Sequence, residues 1–204
     1  TNGIVLVKEH CEFDFGAWQD VELSLLGLYQ PENAANVLLA GEQLRKQGME
    51  IPDSAVYAGL KAARWQARFE KIVQDPLVIF DGAHNPEGID AAVQSVKYYF
   101  GEEKVVVLTG VMRDKDYEYV ATRLSEIAKR AFCIRPDNPR ALDAEEYARR
   151  KSAHNALIHD AFYNKETSLY SERSLPHCRS YPLMYSLESF YLIHYKIIDM
   201  LLQA

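Results

Sequence analysis

Asp81-Gly82-Ala83-His84-Asn85-Pro86 strings a carboxylate, an imidazole and an amide along one short stretch, directly after the apolar run Leu77-Val78-Ile79-Phe80. A carboxylate leaving a buried strand can hold a pair of ribose hydroxyls. An imidazole can reach a phosphate or ribose oxygen, and Gly82 lets backbone approach a ligand. Pro86 opens a helix whose N-terminus favours anions. Taken alone, the same residues also read as a polar turn capped by Asn85. Two further segments carry usable groups: Asn33 sits in the first turn of a helix beginning at Pro31, and Arg68 lies in Trp65-Gln66-Ala67-Arg68-Phe69-Glu70, thirteen residues before Asp81. Singly, Asn33 reads as a solvated helix residue and Arg68 as a surface partner for Glu70.

The elements that would position these groups follow from periodicity. Residues 1–26 read as extended, with Val21, Leu23 and Leu25 alternating with Glu22 and Ser24. A helix runs from Pro31 toward Gly48, and a second follows Pro52-Asp53-Ser54. Then strand, loop and helix recur. LVIF (77–80) precedes a helix from Pro86 to Gly101, and KVVVLT (104–109) precedes the Gly110–Asp116 loop and a helix through Val120, Leu124 and Ile127. AFCI (131–134) precedes a short helix capped by Asp143. This order predicts an α/β fold, a Rossmann-like, mostly parallel sheet with flanking helices. The three strands are expected to be neighbours, with Asp81, Gly110 and Arg135 at the carboxyl edge where such sheets bind ligands.

Composition narrows the function classes. The chain has 204 residues, 48% hydrophobic, with 29 acidic against 23 basic side chains and a net charge of −6. That balance argues against a nucleic-acid partner bound through bulk charge, and no apolar run is long enough for a membrane span. Cys11, Cys133 and Cys178 are scattered and odd in number, which points to free thiols in a reducing, cytoplasmic compartment. All ten glycines fall between Gly3 and Gly110, while four of six histidines follow residue 150. The chain changes character there, and looser packing is expected in 151–204 than in 20–147. His154 and His159 have the wrong spacing for metal ligands on one helical face, and the His177-Cys178 neighbours lack an orienting third group.

In this order and spacing the segments resemble the C-terminal domain of folylpolyglutamate/dihydrofolate synthases, a branch of the Mur ligase superfamily. The resemblance runs over about residues 20–147. It is carried by Leu25-Leu26-Gly27-Leu28-Tyr29-Gln30 with Asn33-Ala34, then Gly59-Leu60, Trp65 with Arg68 and Glu70, and Asp81 to Pro86. Asp114-Lys115-Asp116-Tyr117 and Arg140-Ala141-Leu142 complete it. Ala67 stands where the family pattern has glycine.

The resemblance implies an ATP-dependent amide-bond ligase of folate biosynthesis and one-carbon metabolism, which adds L-glutamate to a folate or dihydropteroate carboxylate through an acyl phosphate. It further implies that Asn33 faces adenine, Asp81 and His84 ribose and phosphate, and Arg68 the γ-phosphate. Arg68 and His84 are then the catalytic candidates, and no metal ligand falls in this chain. No G-x-x-x-x-G-K-S/T occurs. The family carries its P-loop, Mg²⁺ ligands and folate site in a larger N-terminal domain, so this chain is expected to be inactive alone and to need that domain as its partner. Residues 1–20 read as the end of that ATPase domain or a linker, 21–150 as the Mur ligase C-terminal domain, and 151–204 as an atypical tail that completes the same domain. In the tail, Thr167-Ser168-Leu169-Tyr170 and Glu188-Ser189-Phe190-Tyr191 are the nearest matches to a family G-S-L-Y segment, and Leu192 to Leu202 suits a closing helix. Another Mur-type amino-acid ligase, or a non-catalytic interaction domain, is also open on the sequence.

Overall fold

The computed structural model describes residues 5–7, 9–74, 77–151, 158–161 and 191–193. It divides into two compact units, Thr1–Glu70 and Lys71–Ala204. In the first, strands β1 (Val5–Val7), β2 (His10–Phe15) and β3 (Trp18–Leu23) form an antiparallel sheet in the order β1-β2-β3. Helices α1 (Gln30–Lys46) and α2 (Asp53–Ala62) follow. The alternation read in the sequence puts Val21 and Leu23 inward. They join Cys11, Phe13 and Trp18 from the sheet, Ala34 and Leu38 from α1, and Leu60 from α2 in one core. Pro31 lies in the first turn of α1, where its missing N–H leaves no bond unmade. The hairpin therefore shares its core with the two helices that follow it.

The second unit is built on a six-stranded sheet. Its strands are β4 (Glu70–Gln74), β5 (Leu77–Phe80), β6 (Val105–Thr109), β7 (Ala128–Cys133), β8 (Ile158–Ala161) and β9 (Tyr191–Ile193), in the order β4-β5-β9-β6-β7-β8. Helices α3 (Pro86–Phe100), α4 (Tyr117–Ser125) and α5 (Ala144–Lys151) alternate with the strands. β6, β7 and β8 pair in parallel. The apolar stripe Ile89, Ala92, Val93 and Val96 of α3 and Val120 and Leu124 of α4 are buried, as are Val105–Val107 and Phe132 on the strands. That is the pattern of a parallel sheet covered by amphipathic helices.

Two expectations change here. LVIF and KVVVLT are not hydrogen-bonded neighbours, because β9 lies between them and pairs antiparallel with both. Since each runs opposite to β9, β5 and β6 still run the same way, and Asp81, Gly110 and the residues after Cys133 share one edge. Tyr191-Leu192-Ile193 is thus a strand and not the start of a closing helix. Two central strands otherwise lacking a shared partner bond to its backbone, and that demand outweighs the helical spacing of the residues after it. β4 and β8 were not legible as strands. β7 begins three residues before the AFCI run, on Ala128-Lys129-Arg130. Thr167–Tyr170, His154, His177, Cys178, Leu202 and most of the tail whose packing was expected to be loose lie outside the described residues.

Candidate functional site

The four residues named from the sequence fall into two pairs, one in each unit. In the first, Gly27 sits at φ +103 and begins a turn in which the Gln30 N–H donates to the Gly27 carbonyl (3.1 Å). Gln30 is 4% exposed, and its Oε1 accepts from Asn33 Nδ2 at 3.2 Å. Asn33 itself is exposed on the first turn of α1, so Gln30 orients an amide that faces solvent. The arginine segment packs against this turn. A Cβ on Gly27 would lie 3.3 Å from Phe69 Cβ and 2.9 Å from Tyr29 Cε1.

Arg68 stands between two non-glycine residues in the left-handed region, Ala67 at φ +56 and Phe69 at φ +50. Both are buried, and Arg68 between them is exposed. The backbone therefore turns its two apolar neighbours in and the guanidinium out. Glu70 Oε2 accepts from the Ala67 N–H at 2.9 Å and holds the turn. The glycine of the family pattern is explained by this conformation: an L-residue at such a φ costs about 1–2 kcal/mol that glycine does not. Backbone strain of this kind clusters at active sites and ligand clamps.

In the second unit, the loop after β5 arranges Asp81 and His84. Asp81 is 3% exposed, and its Oδ1 accepts from the Ala83 N–H at 2.7 Å. His84 Nδ1 lies 3.0 Å from the Gly82 carbonyl oxygen. A carbonyl only accepts, so Nδ1 carries the proton. Nε2 of the neutral ring is then an acceptor, fit for a ribose hydroxyl, and it donates to a phosphate oxygen only in the imidazolium form. Asn85 caps α3, its Oδ1 accepting from the Gly88 N–H at 3.0 Å. Gly88 fits so closely that a Cβ there would lie 2.7 Å from Asn85 Oδ1 and 3.3 Å from Ala83 Cβ.

The other two edge loops are joined through their backbones. Met112 bridges Ala141, the Arg113 N–H donates to the Arg140 carbonyl, and the Leu142 N–H donates to the Val111 carbonyl, the last two at 2.9 Å. An Arg140–Asp114 ion pair of 3.3 Å lies on the exposed side. The Asp114-Lys115-Asp116 and Arg140-Ala141-Leu142 segments, distant in sequence, are thus one structure. Gly110 is required by their approach, since a Cβ there would lie 2.8 Å from the Pro136 ring and 2.9 Å from the Ile134 carbonyl oxygen.

Sequence reading missed one further constellation. Asp90 of α3 accepts from the Tyr119 hydroxyl (2.8 and 2.7 Å to its two oxygens) and from Arg123 Nε (2.5 Å), both on α4. The Tyr119 hydroxyl, and after it the Arg123 guanidinium, hold the Asp90 carboxyl below the usual carboxylate range, and Asp90 in turn raises the Tyr119 phenol. Arg123 also pairs with Glu126, which accepts from Lys97 Nζ at 2.6 Å. No local signal points to such a network, because its members come from different helices.

The parallel sheet, its helix cover and the capped loop after β5 define a Rossmann-like α/β domain, whose carboxyl-edge loops are where sheets of this kind bind ligands. The chain belongs to the Mur ligase family: the model of the Mur ligase glutamate ligase domain matches residues 67–171. The dihydrofolate synthase/folylpolyglutamate synthase of Bacillus subtilis is 35% identical over 130 residues, covering 63% of this chain and 30% of that protein. Among solved structures, Mycobacterium tuberculosis folylpolyglutamate synthase complexed with ADP matches with a TM-score of 0.62 and 29% identity, over 71% of this chain and 32% of that one. The folylpolyglutamate synthase of Thermotoga maritima matches with a TM-score of 0.66 and 27% identity, over 81% and 39%. The chain spans about a third of the length of the curated relatives it matches. Among the described residues, no helix is long and apolar enough to cross a membrane.

Proposed function

We propose that this chain is the nucleotide- and glutamate-side portion of an ATP-dependent folylpolyglutamate/dihydrofolate synthase, acting in the cytoplasm together with an ATPase portion. On this reading residues 21–150 belong to the ligase domain, joined by the part of 1–20 that lies in β2 and β3 and shares a core with α1 and α2, and 151–204 complete the domain. β8 and β9, which join the second sheet, support that last assignment. ATP supplies the phosphoryl group that activates the terminal carboxylate of a folate or dihydropteroate, and the amino group of L-glutamate then displaces phosphate to form the amide.

The chain's own residues take four roles. Asn33, held by Gln30, meets the adenine edge. Asp81 shapes its loop through the Ala83 N–H and lies on the ribose side. His84, with Nδ1 committed to Gly82, offers Nε2 to a ribose hydroxyl or, protonated, to phosphate. Arg68 neutralises charge developing on the transferred γ-phosphoryl group, a task its planar fork suits. Among the described residues no three His, Cys, Asp or Glu side chains gather as a metal site. A Mg²⁺ accompanying the nucleotide would, on this reading, be held by the ATPase portion.

The observation that carries the reading is Arg68, exposed on a strained turn and making no hydrogen bond or ion pair among the described residues. An arginine held outward between two buried neighbours at positive φ is available to a ligand, and backbone strain of this kind clusters at functional sites. Joined to an ATPase portion, covalently or in trans, Arg68→Ala is expected to slow acyl-phosphate formation by roughly 10²-fold or more. Its effect on stability is expected to stay within about 0.5 kcal/mol, because no hydrogen bond or ion pair among the described residues uses the guanidinium. Rapid-quench measurement of phosphoryl transfer decides the point, and an unchanged rate removes Arg68 from the mechanism.

A further inference from the structure

We infer that Asp90, Tyr119 and Arg123 are positioning residues for the candidate site, tying the loop that carries Asp81 and His84 to the loop that carries Asp114 to Asp116. The chain of contacts is continuous. Asp116 caps α4 by accepting from the Tyr119 N–H at 3.0 Å. The Tyr119 hydroxyl, on the same residue, reaches across to both oxygens of Asp90. Asp90 is the fifth residue of α3, whose first turn is fixed by the Asn85 cap immediately after His84. Tyr119 thus spans from the end of one edge loop, through its own side chain, to the helix that begins at the other.

The position of the link separates it from ordinary helix packing. It joins the N-terminal turns, where both loops end. The second tie between these helices, Lys97 to Glu126, lies at the opposite ends, where neither loop is attached. A shift of α4 relative to α3 is therefore resisted at the Tyr119 end by a hydrogen bond to a charged acceptor, the stronger kind of neutral-donor bond. Arg123 supports the same carboxylate through Nε and is 23% exposed, so Asp90 keeps a partner if the phenol is removed. Tyr119→Phe accordingly tests the strut without leaving an unpaired charge.

The experiment uses the full chain and two variants, Tyr119→Phe and Lys97→Met, with two readouts. The first is the backbone amide chemical shifts of residues 82–85 and 114–116. The second, which alone rests on the nucleotide reading proposed above, is ADP affinity by calorimetry. Tyr119→Phe is expected to displace the amide signals of both loops and to weaken ADP binding roughly threefold or more. Lys97→Met, which removes a tie between the same helices, is expected to leave both readouts unchanged. Signals of 82–85 that stay in place in Tyr119→Phe, or that move equally in Lys97→Met, overturn the positioning role. If no ADP binds to the unaltered chain, the nucleotide reading fails, and the amide shifts still decide whether Tyr119 couples the loops.

Discussion

Gly27→Ala is the substitution on which the geometry of the arginine turn can be tested most directly. Gly27 sits at φ +103, beyond the left-handed well open to L-residues, and the alanine backbone there is strained by about 1–2 kcal/mol. The added methyl meets Tyr29 Cε1 at 2.9 Å and Phe69 Cβ at 3.3 Å. Overpacking of this kind costs about 1–3 kcal/mol. The tyrosine ring can swing, which favours the lower end. Phe69 cannot yield as easily, since it is 1% exposed and its own φ is +50. Alanine stiffens the unfolded chain and returns about 0.4–1 kcal/mol. The net expectation is a loss of about 2 kcal/mol from the first unit. Gly59→Ala supplies the opposite sign: Gly59 lies inside α2, nothing stands within 4 Å of its added Cβ, and a gain of about 0.5–1 kcal/mol follows. The assay is urea unfolding followed by tryptophan emission. Both tryptophans, Trp18 and Trp65, belong to the first unit, and Trp18 is 7% exposed, so the signal reports that unit alone. With a slope near 1 kcal/mol per molar urea for so small a unit, Gly27→Ala lowers the midpoint by roughly 2 M. A midpoint at or above that of Gly59→Ala would refute the packing of Gly27 against Phe69.

Two further outcomes are expected. Asn85→Ala removes the α3 cap, which costs about 1 kcal/mol and raises the hydrogen-exchange rate of the Gly88 amide; exchange as slow as in the unaltered protein would mean another group caps the helix. Asp90 is held below the ordinary carboxylate range by Tyr119 and Arg123, so its folded form binds a proton less readily than its unfolded form. Its stabilising contribution is therefore complete above the ordinary carboxylate pKa of about 4 and is lost as pH falls through the lower folded value. The Asp90 side-chain carboxyl carbon shift, followed from neutral pH downward, is expected to titrate below the ordinary carboxylate value and to move back toward it in Tyr119→Phe; the same midpoint in the two proteins would count against the link.

The motif residues were legible because the chemistry they serve is local. Asp81 to Pro86 is a strand end, a turn and a capped helix within one stretch, and each part has its own composition signal. Helices α1 to α4 were legible for the same reason, as Pro31, Gly48, Pro86 and Gly101 punctuate apolar periods of 3.6. The strand β4 was obscured because Glu70-Lys71-Ile72-Val73-Gln74 is half polar, and its first residue doubles as the anchor of the Ala67 turn. β9 was misread because three apolar residues fit a helix and a strand equally well.

The sequence by itself determined which groups are available, where the helices start and stop, and the strand–loop–helix order that gathers three loops at one sheet edge, because these depend on neighbours in the chain. The tertiary structure decided what depends on residues far apart. It inserted Tyr191–Ile193 between β5 and β6, where unpaired backbone demands a strand. It joined the Gly110–Asp116 loop to Arg140–Leu142 through backbone bonds, packed Gly27 against Phe69 so that Arg68 faces outward, and brought Tyr119 of one helix to Asp90 of another. Hydrogen bonds and close contacts of that range leave no periodicity in the chain, since each is fixed only when the elements carrying its two partners have packed.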